Sequence, residues 1–528
     1  MSDALASALR VLPNYLGNHV LLSAASLALG FALALPLAIA ACRNRFVRWP
    51  VLTFVSLVQT VPSLALMALF YPILLAIGAL SESLLGWRIS ALGFLPALIA
   101  LTLYSMLPII RNVVTGILGL DPALIEAANG VGMTERQRLI RVELPLVAPM
   151  MMAGLRTAAV WVIGTATLAT PVGQTSLGNY IFSGLQTENW VWVLFGCGAA
   201  AALALIVDQL LALIEFGAAR RKPARMAIGA AGLALGVAVA GAALITPARQ
   251  SYVIGAKNFT EQYILADLIG QRLATDGHPT TLRSGLGSAV VFRALAQGDI
   301  DVYVDYSGTI WTNVMGRSDP PPRAEMLREM TQWLKEKHGV VLMGALGFEN
   351  AYALAMRGDE ASALGIETIA DLAPHTPQLS IGSDYEFFVR PEWAALRDGY
   401  GLAFATQREF QSTFMYRALT GGTVDVISAF SSDGRIAADH LKVLGDPKQK
   451  IPPYDAIVLI SPKRAHDTAL LSALRPLIGA IPVTLMREAN YLVDRPDDGL
   501  TPQAAAQWLG QHIKAPEADR TAEESPPH

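Results

Sequence analysis

Hydrophobic residues are distributed very unevenly along this chain. Up to about residue 250 it contains six long stretches that are almost free of charged side chains, and beyond that point apolar residues occur in short runs between polar ones. An uncharged stretch of about 20 residues is long enough to cross a bilayer as a helix. The first half therefore predicts an all-α domain with six membrane spans, and the second half predicts a domain of another class.

Charged residues and prolines delimit the predicted spans. The stretch 49–81 is too short for two complete spans, so we expect one span with a kink near Pro62 or Pro72. Asp208 is expected as an interfacial cap near the cytoplasmic end of span five, and Arg156 at the inner membrane interface. The spans are expected at 20–42, 49–81, 89–110, 148–170, 190–214 and 226–245. The alternative, a large soluble core of buried helices, does not need six such stretches.

Basic residues in the short loops predict the orientation. Eleven Lys and Arg residues fall in the loops after spans one, three and five, and three fall in the other loops. Loops rich in Lys and Arg stay in the cytoplasm. Residues 1–18 are then an N-terminal extracytoplasmic segment, 19–248 the transmembrane domain, and everything after span six lies outside.

Composition excludes several classes of protein. Hydrophobic residues make up 53% of the chain and charged residues only 16%, against about 25% charged in ordinary soluble domains. The net charge is −3, and no basic face for nucleic acid is indicated. Two cysteines, Cys42 and Cys197, exclude a disulfide framework and a Cys-based zinc site. We predict no metal, no cofactor and no catalytic residue.

The expected cytoplasmic loop at about 121–147 has a pattern of its own. Asp121 followed by Pro122 predicts a helix start, Gly132 interrupts the helix, and a second amphipathic stretch continues to Leu144 and Pro145. Two short helices at an angle would project from the membrane and could dock into a groove on a partner. An ordinary cytoplasmic loop would also be compatible with this pattern.

This loop resembles that of the inner-membrane permease subunits of binding-protein-dependent ABC importers. Those proteins carry E-A-A, three residues, G, nine residues, I, one residue and L-P, and this chain keeps the spacing with valine in place of isoleucine. The matching residues are Glu126, Ala127, Ala128, Gly132, Val142, Leu144 and Pro145. The resemblance implies that the loop docks on an ATPase subunit. The chain has no G-x-x-x-x-G-K-[ST] phosphate loop, so ATP would be bound and hydrolysed by a separate chain.

The second half alternates short strand patterns with helix patterns. Strands are expected at Tyr252–Gly255, Thr280–Arg283 and Ile300–Val304, and Thr260 and Ser288 are expected to cap the helices between them. This alternation is typical of an α/β sheet, in which ligands bind at the carboxyl ends of strands. The polar, proline-rich tail 515–528 is expected to be disordered.

Five segments of the second half closely resemble the extracellular binding proteins for glycine betaine, choline and related osmoprotectants. They are GAKNFTEQ (255–262), VDYSGT (304–309), FENAY (348–352), AFSSDGRI (429–436) and PPYDA (452–456). The resemblance covers about residues 252–514, and fused permease–binding proteins are known in this group. It implies a two-lobed, periplasmic-binding-protein-like α/β domain at 251–514. Lobe one would comprise 251–349 and 455–514, and lobe two 350–454.

The resemblance also implies an aromatic cage around a quaternary ammonium group, with polar groups holding a carboxylate. The cage positions are Tyr306, Tyr352, Phe430 and Tyr454, and the carboxylate and polar positions are Lys257, Thr309, Arg390 and Asn350. A trimethylammonium group has no N–H to donate, so aromatic faces suit it, and a forked guanidinium suits a carboxylate. Many relatives have tyrosine at the position of Phe430, and some have aspartate at that of Asn350. Without the resemblance, Arg390 could be a surface ion pair.

These observations predict an inner-membrane importer subunit with a tethered binding domain in the periplasm. Its ligands would be quaternary ammonium compounds such as glycine betaine or choline. Its partners would be a cytoplasmic ATPase, a second copy of this chain and the lipid bilayer. One alternative is an importer of ergothioneine or another larger betaine. An alternative from another class is a membrane-anchored solute sensor, which would need no ATPase.

Overall fold

The computed structural model describes residues 2–513, except for 87–90, 187–188, 221, 245–250, 318, 320 and 496–498. The chain forms two compact units, Met1–Phe182 with Trp190–Ala248 and Ser183–Asn189 with Arg249–His528. The tail 515–528, for which the sequence predicts disorder, lies outside the described residues.

The described residues of the first unit form helices and connecting turns and contain no strand. Its helices are α1 (Ser2–Arg43), α2 (Arg45–Thr60), α3 (Ser63–Leu85), α4 (Phe94–Leu118), α5 (Pro122–Gly130), α6 (Glu135–Arg138), α7 (Leu144–Ala166), α8 (Gly178–Gln186), α9 (Trp190–Ala219) and α10 (Pro223–Leu244). Six segments of the described chain are long and apolar enough to cross a membrane, namely Ala4–Arg43, Ser63–Ser81, Phe94–Leu118, Glu135–Val172, Trp190–Ala219 and Pro223–Ala242. The prediction of an all-α domain with six spans is confirmed.

Helix α4 forms the centre of the helical unit. Of its most apolar window 61% is buried, against 33% or less in the other five spans. Small residues let its neighbours approach closely, as is common between membrane helices. A β-carbon on Gly30 of α1 would lie 1.8 Å from Ser105 Oγ, and one on Gly154 of α7 would lie 2.9 Å from the Pro108 carbonyl oxygen.

Two details differ from the predicted spans. The stretch 49–81 is not one kinked helix, because α2 ends at Thr60 and Val61 is extended (φ −73°, ψ 127°) before Pro62. Proline disfavours helical geometry in the residue before it, whereas Pro72 lies inside α3 without ending it. Residues 2–18 are not a separate segment but the beginning of α1, where the Ala8 carbonyl accepts a 2.6 Å hydrogen bond from Tyr180 of α8.

The second unit contains two five-stranded sheets. The strands are β1 (Tyr252–Lys257), β2 (Thr280–Leu286), β3 (Val302–Tyr306), β4 (Val341–Glu349), β5 (Tyr352–Arg357), β6 (Ser380–Asp384), β7 (Thr406–Phe410), β8 (Val426–Phe430), β9 (Leu441–Val443) and β10 (Asp455–Ile460). One sheet has the order β2-β1-β3-β10-β4 and the other β7-β6-β8-β5-β9. The chain therefore passes to the second sheet after β4 and returns with β10.

Helices connect and cover these strands. They are α11 (Thr260–Thr275), α12 (Ser288–Ala296), α13 (Ser307–Thr309), α14 (Arg323–His338), α15 (Gly358–Leu364), α16 (Ile369–Leu372), α17 (Pro391–Tyr400), α18 (Ser412–Thr420), α19 (Arg435–Ala438), α20 (Thr468–Leu474), α21 (Val483–Asp494) and α22 (Pro502–His512). The first sheet lies within the range predicted for lobe one and the second within that for lobe two. The predicted α/β fold class is confirmed.

Two predicted helix caps are wrong. The N-cap of α11 is Phe259 and that of α12 is Gly287, each one residue earlier than expected. The hydroxyls of Thr260 and Ser288 instead bond other side chains, Asp494 at 2.7 Å and Glu386 at 3.1 Å. Local capping preferences are weak enough for such tertiary contacts to override them.

Candidate ligand site

Four strands from the two sheets end at one cleft of the second unit. Lys257, Tyr306, Asp384 and Phe430 are the last residues of β1, β3, β6 and β8. This is the edge at which α/β sheets bind ligands. The cleft is lined by Lys257, Asn258, Phe259, Ser288, Tyr306, Thr309, Asn350, Tyr352, Asp384, Tyr385, Glu386, Arg390, Gln411, Ser412, Phe430 and Tyr454. All eight residues predicted to contact a ligand are among them.

Five aromatic rings follow one another around the cleft. Phe259 stacks on Tyr306 with a centroid distance of 6.1 Å and on Phe430 at 6.0 Å. Tyr352 lies 5.0 Å from Phe430 and, nearly perpendicular, 6.0 Å from Tyr454. Such a set of faces can surround a cation that has no hydrogen to donate.

Strand pairing brings these rings together. Tyr352 and Phe430 are direct partners in the antiparallel pair β5–β8, so their side chains share one face. Tyr454 directly precedes β10, and its carbonyl oxygen accepts a 2.9 Å hydrogen bond from the Asn350 amide. Gly308 makes room for the Tyr454 ring, because a β-carbon there would lie 2.4 Å from it.

The tyrosine hydroxyls are anchored by buried glutamates. Tyr306 donates to Glu261 at 2.5 Å, and Tyr454 donates to Glu392. Glu261 also accepts hydrogen bonds from Asn350, Ser432 and Asn490 at 2.6–3.0 Å. Burial raises the pKa of the Glu261 carboxyl, and these hydrogen bonds oppose the rise. The two rings are thus fixed through their hydroxyls.

The ammonium group of Lys257 is already paired within the domain. It bonds Asp305, whose carboxylate also accepts from the Tyr303 hydroxyl at 2.5 Å and from the Tyr306 amide at 2.7 Å. The nitrogen lies 5.2 Å from the centre of the Tyr306 ring. The prediction from sequence did not foresee this compensation of the lysine charge.

Arg390 is buried in the cleft, with 7% of its surface exposed, and is not a surface residue. Its guanidinium bonds Glu386 at 3.0 Å and the Thr309 hydroxyl at 3.2 Å, and its Nε lies 3.5 Å from Glu392. The guanidinium carbon is 5.1 Å from the Tyr352 ring centre. The guanidinium group therefore lies between the aromatic rings and the carboxylates of Glu386 and Glu392.

The lobes meet at the rim of this cleft. Ser288 donates to Glu386 at 3.1 Å and Thr312 to Glu392 at 2.9 Å, and both contacts join lobe one to lobe two. Several buried polar atoms lining the cleft have no hydrogen-bond partner among the residues described, namely Asn350 Oδ1, Asp384 Oδ2 and both amide atoms of Gln411. Buried polar groups are usually paired, so their concentration here indicates a place for a polar ligand.

The predicted cytoplasmic loop forms two short helices with a turn between them. Asp121 caps α5 by accepting from the Ala123 amide at 2.9 Å. Gly132 has φ +78°, which residues with a side chain rarely adopt. Thr134 and Gln137 form a capping box at the start of α6.

The matched loop residues face different surroundings. Glu126, Ala127, Gly132 and Pro145 are exposed, Leu144 is half-buried and Ala128 is buried. The second stretch does not end at Leu144 and Pro145 as predicted, because a π-helical turn at Leu139–Glu143 leads directly into α7.

A buried carboxylate holds this loop against α1. Glu143, 1% exposed, bonds Arg43 at 2.9 Å and Arg138 at 2.8 Å. Arg138 also donates to Asn129 at 2.8 Å. The exposed large apolar side chains of the loop are Leu124, Val131, Ile140 and Leu146.

Comparison with known proteins identifies both halves. Residues 28–220 match the binding-protein-dependent transport system inner membrane component, and residues 250–511 match the substrate binding domain of ABC-type glycine betaine transport systems. The permease OpuCB of the Bacillus subtilis (strain 168) glycine betaine/carnitine/choline system is 39% identical over 38% of this chain and 84% of its own length. The glycine-betaine-binding protein of Pseudomonas aeruginosa is 31% identical over 49% of this chain and 87% of its own.

The chain belongs to both families. It is a fusion of an ABC permease with a substrate-binding domain, a multi-pass inner-membrane protein whose binding domain lies outside the cytoplasm. The ergothioneine transport permease/ergothioneine binding protein EgtU of Helicobacter pylori (strain G27) is 27% identical over 84% of this chain and 80% of its own length.

In the permease domain, Asp208 has a role other than that predicted. It lies inside α9 and is not a helix cap. Arg156 of α7 binds both carboxylate oxygens of Asp208 at 2.8 and 3.0 Å and Glu215 at 2.8 Å, both on α9. Pairing of this kind is what allows ionised groups to occur in an apolar bundle.

In the substrate-binding domain, the prediction missed several lining residues. Phe259 lies in the quoted segment GAKNFTEQ, two positions after Lys257, so an aromatic residue beside a strand end was the available signal. Asp384 and Gln411 lie outside the quoted segments, and only strand pairing brings them to the cleft. Within the part of the chain that the structure describes, no group of three or more His, Cys, Asp and Glu could hold a metal ion.

Proposed function

We propose that this chain imports betaines, small molecules that carry both a trimethylammonium group and a carboxylate. The observation that carries the proposal is the set of five aromatic rings lining one buried cleft at spacings of 5.0–6.1 Å. The cation would be recognised by the faces of Phe259, Tyr306, Tyr352, Phe430 and Tyr454. A desolvated cation–π contact contributes about 2 kcal/mol.

The carboxylate of the ligand would bind Arg390 and Thr309. Their present contact at 3.2 Å joins the two lobes, and Arg390 also pairs with Glu386 of lobe two at 3.0 Å. A ligand carboxylate would compete with Glu386 for one prong of the guanidinium. The bound ligand would then connect the lobes, because its cation would contact Tyr306 of lobe one and Tyr352 of lobe two.

Transport would be driven by ATP hydrolysis on a separate cytoplasmic chain. The exposed loop with Glu126, Ala127 and Gly132 would dock on that ATPase, with Leu124, Val131 and Ile140 as apolar contacts. A second copy of this chain would complete the pathway, since one permease domain supplies half of it. The transporter would then carry two binding domains.

Among betaines, ergothioneine or another large betaine is the second candidate. The relative named for ergothioneine aligns with this chain across both domains, over 84% of its length, whereas the relatives named for glycine betaine align with one domain each.

Calorimetry of the full chain in lipid nanodiscs tests the proposal. The panel contains glycine betaine, choline, carnitine, ergothioneine and, as a matched control, the tertiary amine dimethylglycine. We expect at least one trimethylammonium compound to bind, and glycine betaine to bind more tightly than dimethylglycine if it is a ligand. Absence of binding by every trimethylammonium compound would refute the proposal.

A further inference from the structure

Glu261, in the first turn of α11, is a buried carboxylate next to the ligand cleft. It lines a small neighbouring cavity and not the cleft itself, and 2% of its surface is exposed. The carboxylate accepts a 2.5 Å hydrogen bond from the hydroxyl of Tyr306, whose side chain lines the cleft. Tyr306 therefore links this carboxylate to the place where a ligand would bind.

The hydrogen bonds to Glu261 indicate that its carboxylate is ionised. Each oxygen accepts two hydrogen bonds, at 2.5–3.0 Å, from four neutral side chains, namely Tyr306, Asn350, Ser432 and Asn490. Gln262 donates to the Tyr306 oxygen at 3.0 Å, so the phenol proton of Tyr306 is directed at Glu261. An ionised carboxylate offers about four acceptor positions. Four donors fill them and leave no place for a proton on either oxygen.

The negative charge of Glu261 has no cation as partner. Within the part of the chain that the structure describes, no lysine or arginine forms a salt bridge with it. Lys257 bonds Asp305, and Arg435, which lines the same small cavity, bonds Asp433 at 2.7 Å. A buried ionic charge is unfavourable unless an opposite charge lies near it. A cation bound in the adjoining cleft would supply that opposite charge.

The carboxylates closest to the ligand carboxylate site differ from Glu261 in this respect. Glu386 bonds Arg390 at 3.0 Å, and Glu392 lies 3.5 Å from its Nε. Burial raises the pKa of Asp384, which lines the cleft directly, and backbone hydrogen bonding and the charge of Arg390 oppose the rise. These three carboxylates thus share the arginine, whereas Glu261 interacts with neutral groups only.

We propose that Glu261 provides the negative charge that balances the cation of the ligand, and that it acts through the ring of Tyr306. A phenol that donates to a carboxylate has more electron density in its ring, and such a ring attracts a cation more strongly. This assignment rests on the proposed function, because the ligand must carry a cation. It makes Glu261 a specificity-determining residue that lies outside the cleft.

A pair of ligands with the same shape isolates the effect of the charge. In tert-butylacetate a carbon atom replaces the quaternary nitrogen of glycine betaine, so the two compounds share their methyl groups and carboxylate and differ in the cation. Each other compound of the panel has a corresponding tert-butyl isostere. Competition calorimetry on the full chain in nanodiscs measures how much more tightly the cation-bearing member binds. We expect the unmodified chain to prefer it.

Glu261→Gln keeps the size of the side chain and removes its charge. The preference for the cation-bearing ligand should fall about tenfold, because a unit charge several ångströms away has a strong effect at the effective dielectric constant of a protein. The tert-butyl compound should bind as before or slightly more tightly. Glu409→Gln, the same change at an exposed position of β7, should leave the preference unchanged.

Two further variants test how the charge acts. Tyr306→Phe keeps the ring and the carboxylate but removes the hydrogen bond between them, so it should lower the preference less than Glu261→Gln does. If Glu261→Gln fails to fold, an unchanged preference in Tyr306→Phe overturns the action through the ring. A fall in Asp384→Asn with none in Glu261→Gln would also overturn the proposal, because the charge would then come from the cleft wall.

Failure of this role and failure of the importer function give different results. An equal loss for both members of the pair in Glu261→Gln would show that Glu261 only holds Tyr306 in place, and would overturn the proposal. If a trimethylammonium compound binds the unmodified chain no more tightly than its tert-butyl isostere, the role of Glu261 is wrong and the importer function stands. If no trimethylammonium compound binds, the proposed function fails and the role of Glu261 with it.

Discussion

The ring of Tyr352 packs against three other aromatic rings. Its ring lies 5.0 Å from Phe387 and Phe430 and 6.0 Å from Tyr454, and it is 7% exposed. Tyr352→Ala should therefore weaken betaine binding by about 1–2 kcal/mol or more, through the lost cation–π contact and lost packing. Calorimetry against the tightest ligand measures this loss. Tyr352→Phe is the matched control and should cost less, and an equal loss in both variants would argue against recognition by the ring face.

Arg390 offers a prediction on ligand carboxylates. Arg390→Lys keeps the charge but loses the two-pronged geometry that now contacts Glu386 and Thr309. The ratio of glycine betaine affinity to choline affinity should fall, because choline has a hydroxyl where glycine betaine has a carboxylate. The two affinities are measured by calorimetry in both proteins. An equal loss for both ligands would indicate that Arg390 only holds the lobes together.

Site residues that lie in the five segments resembling the binding-protein family were predictable from the sequence. Residues that reach the cleft only through the pairing of strands were not. Tyr306, Tyr352, Phe430 and Tyr454 each lie in a short segment that resembles the binding-protein family, and the structure gathers them in one cleft. The pairing of Lys257 with Asp305 was not predicted, although both residues lie in quoted segments. Whether Lys257 lies next to Asp305 depends on how β1 and β3 are aligned in the sheet. The sequence alone does not specify that alignment.

At the scale of elements, the hydrophobic pattern predicted the number of spans but not where each helix ends. Pro62 ends a helix, whereas Pro13, Pro36 and Pro72 lie inside helices. Neighbouring helices can satisfy the backbone groups that a proline leaves free. Composition alone therefore does not show whether a given proline ends a helix or is tolerated inside it.

The predicted cytoplasmic loop at about 121–147 offers a matched pair of glycines. Gly132 has φ +78°, while Gly130, the last residue of α5, has an ordinary φ and no atom within 4 Å of a β-carbon position. Gly132→Val should strain the turn and abolish transport and ligand-stimulated ATP hydrolysis, and Gly130→Val should reduce them much less. Uptake of labelled ligand and phosphate release in proteoliposomes measure the two effects.

Ligand binding provides the control for this pair. The cleft belongs to the extracytoplasmic domain and the loop to the permease domain, so neither glycine variant should change ligand affinity. Normal transport by Gly132→Val at normal expression would contradict the assignment of the loop.

At the scale of the whole molecule, fusion raises the effective concentration of the binding domain near its permease. A binding domain on a short tether has an effective concentration of the order of millimolar, without any new contact. Both families occur as separate proteins among the relatives, the permease in Bacillus subtilis and the binding protein in Pseudomonas aeruginosa. In this chain delivery of the ligand therefore does not depend on how much binding protein is made.

The attached binding domain can deliver ligand to the permease only if it lies on the outer side of the membrane. Its side depends on the number of times the chain crosses the membrane before it. Six spans return the chain to the side of its N-terminus, but α2 has 16 residues, about 24 Å, and a seventh crossing through it would reverse the outcome. Arg45 and Arg48 near its start and the basic loops after spans three and five favour six. A reporter enzyme active only outside the cytoplasm should be active when fused after Gln250 and silent after Arg138. A silent fusion after Gln250 would contradict the combination of six spans and an outer N-terminus and would remove the binding domain from the periplasm.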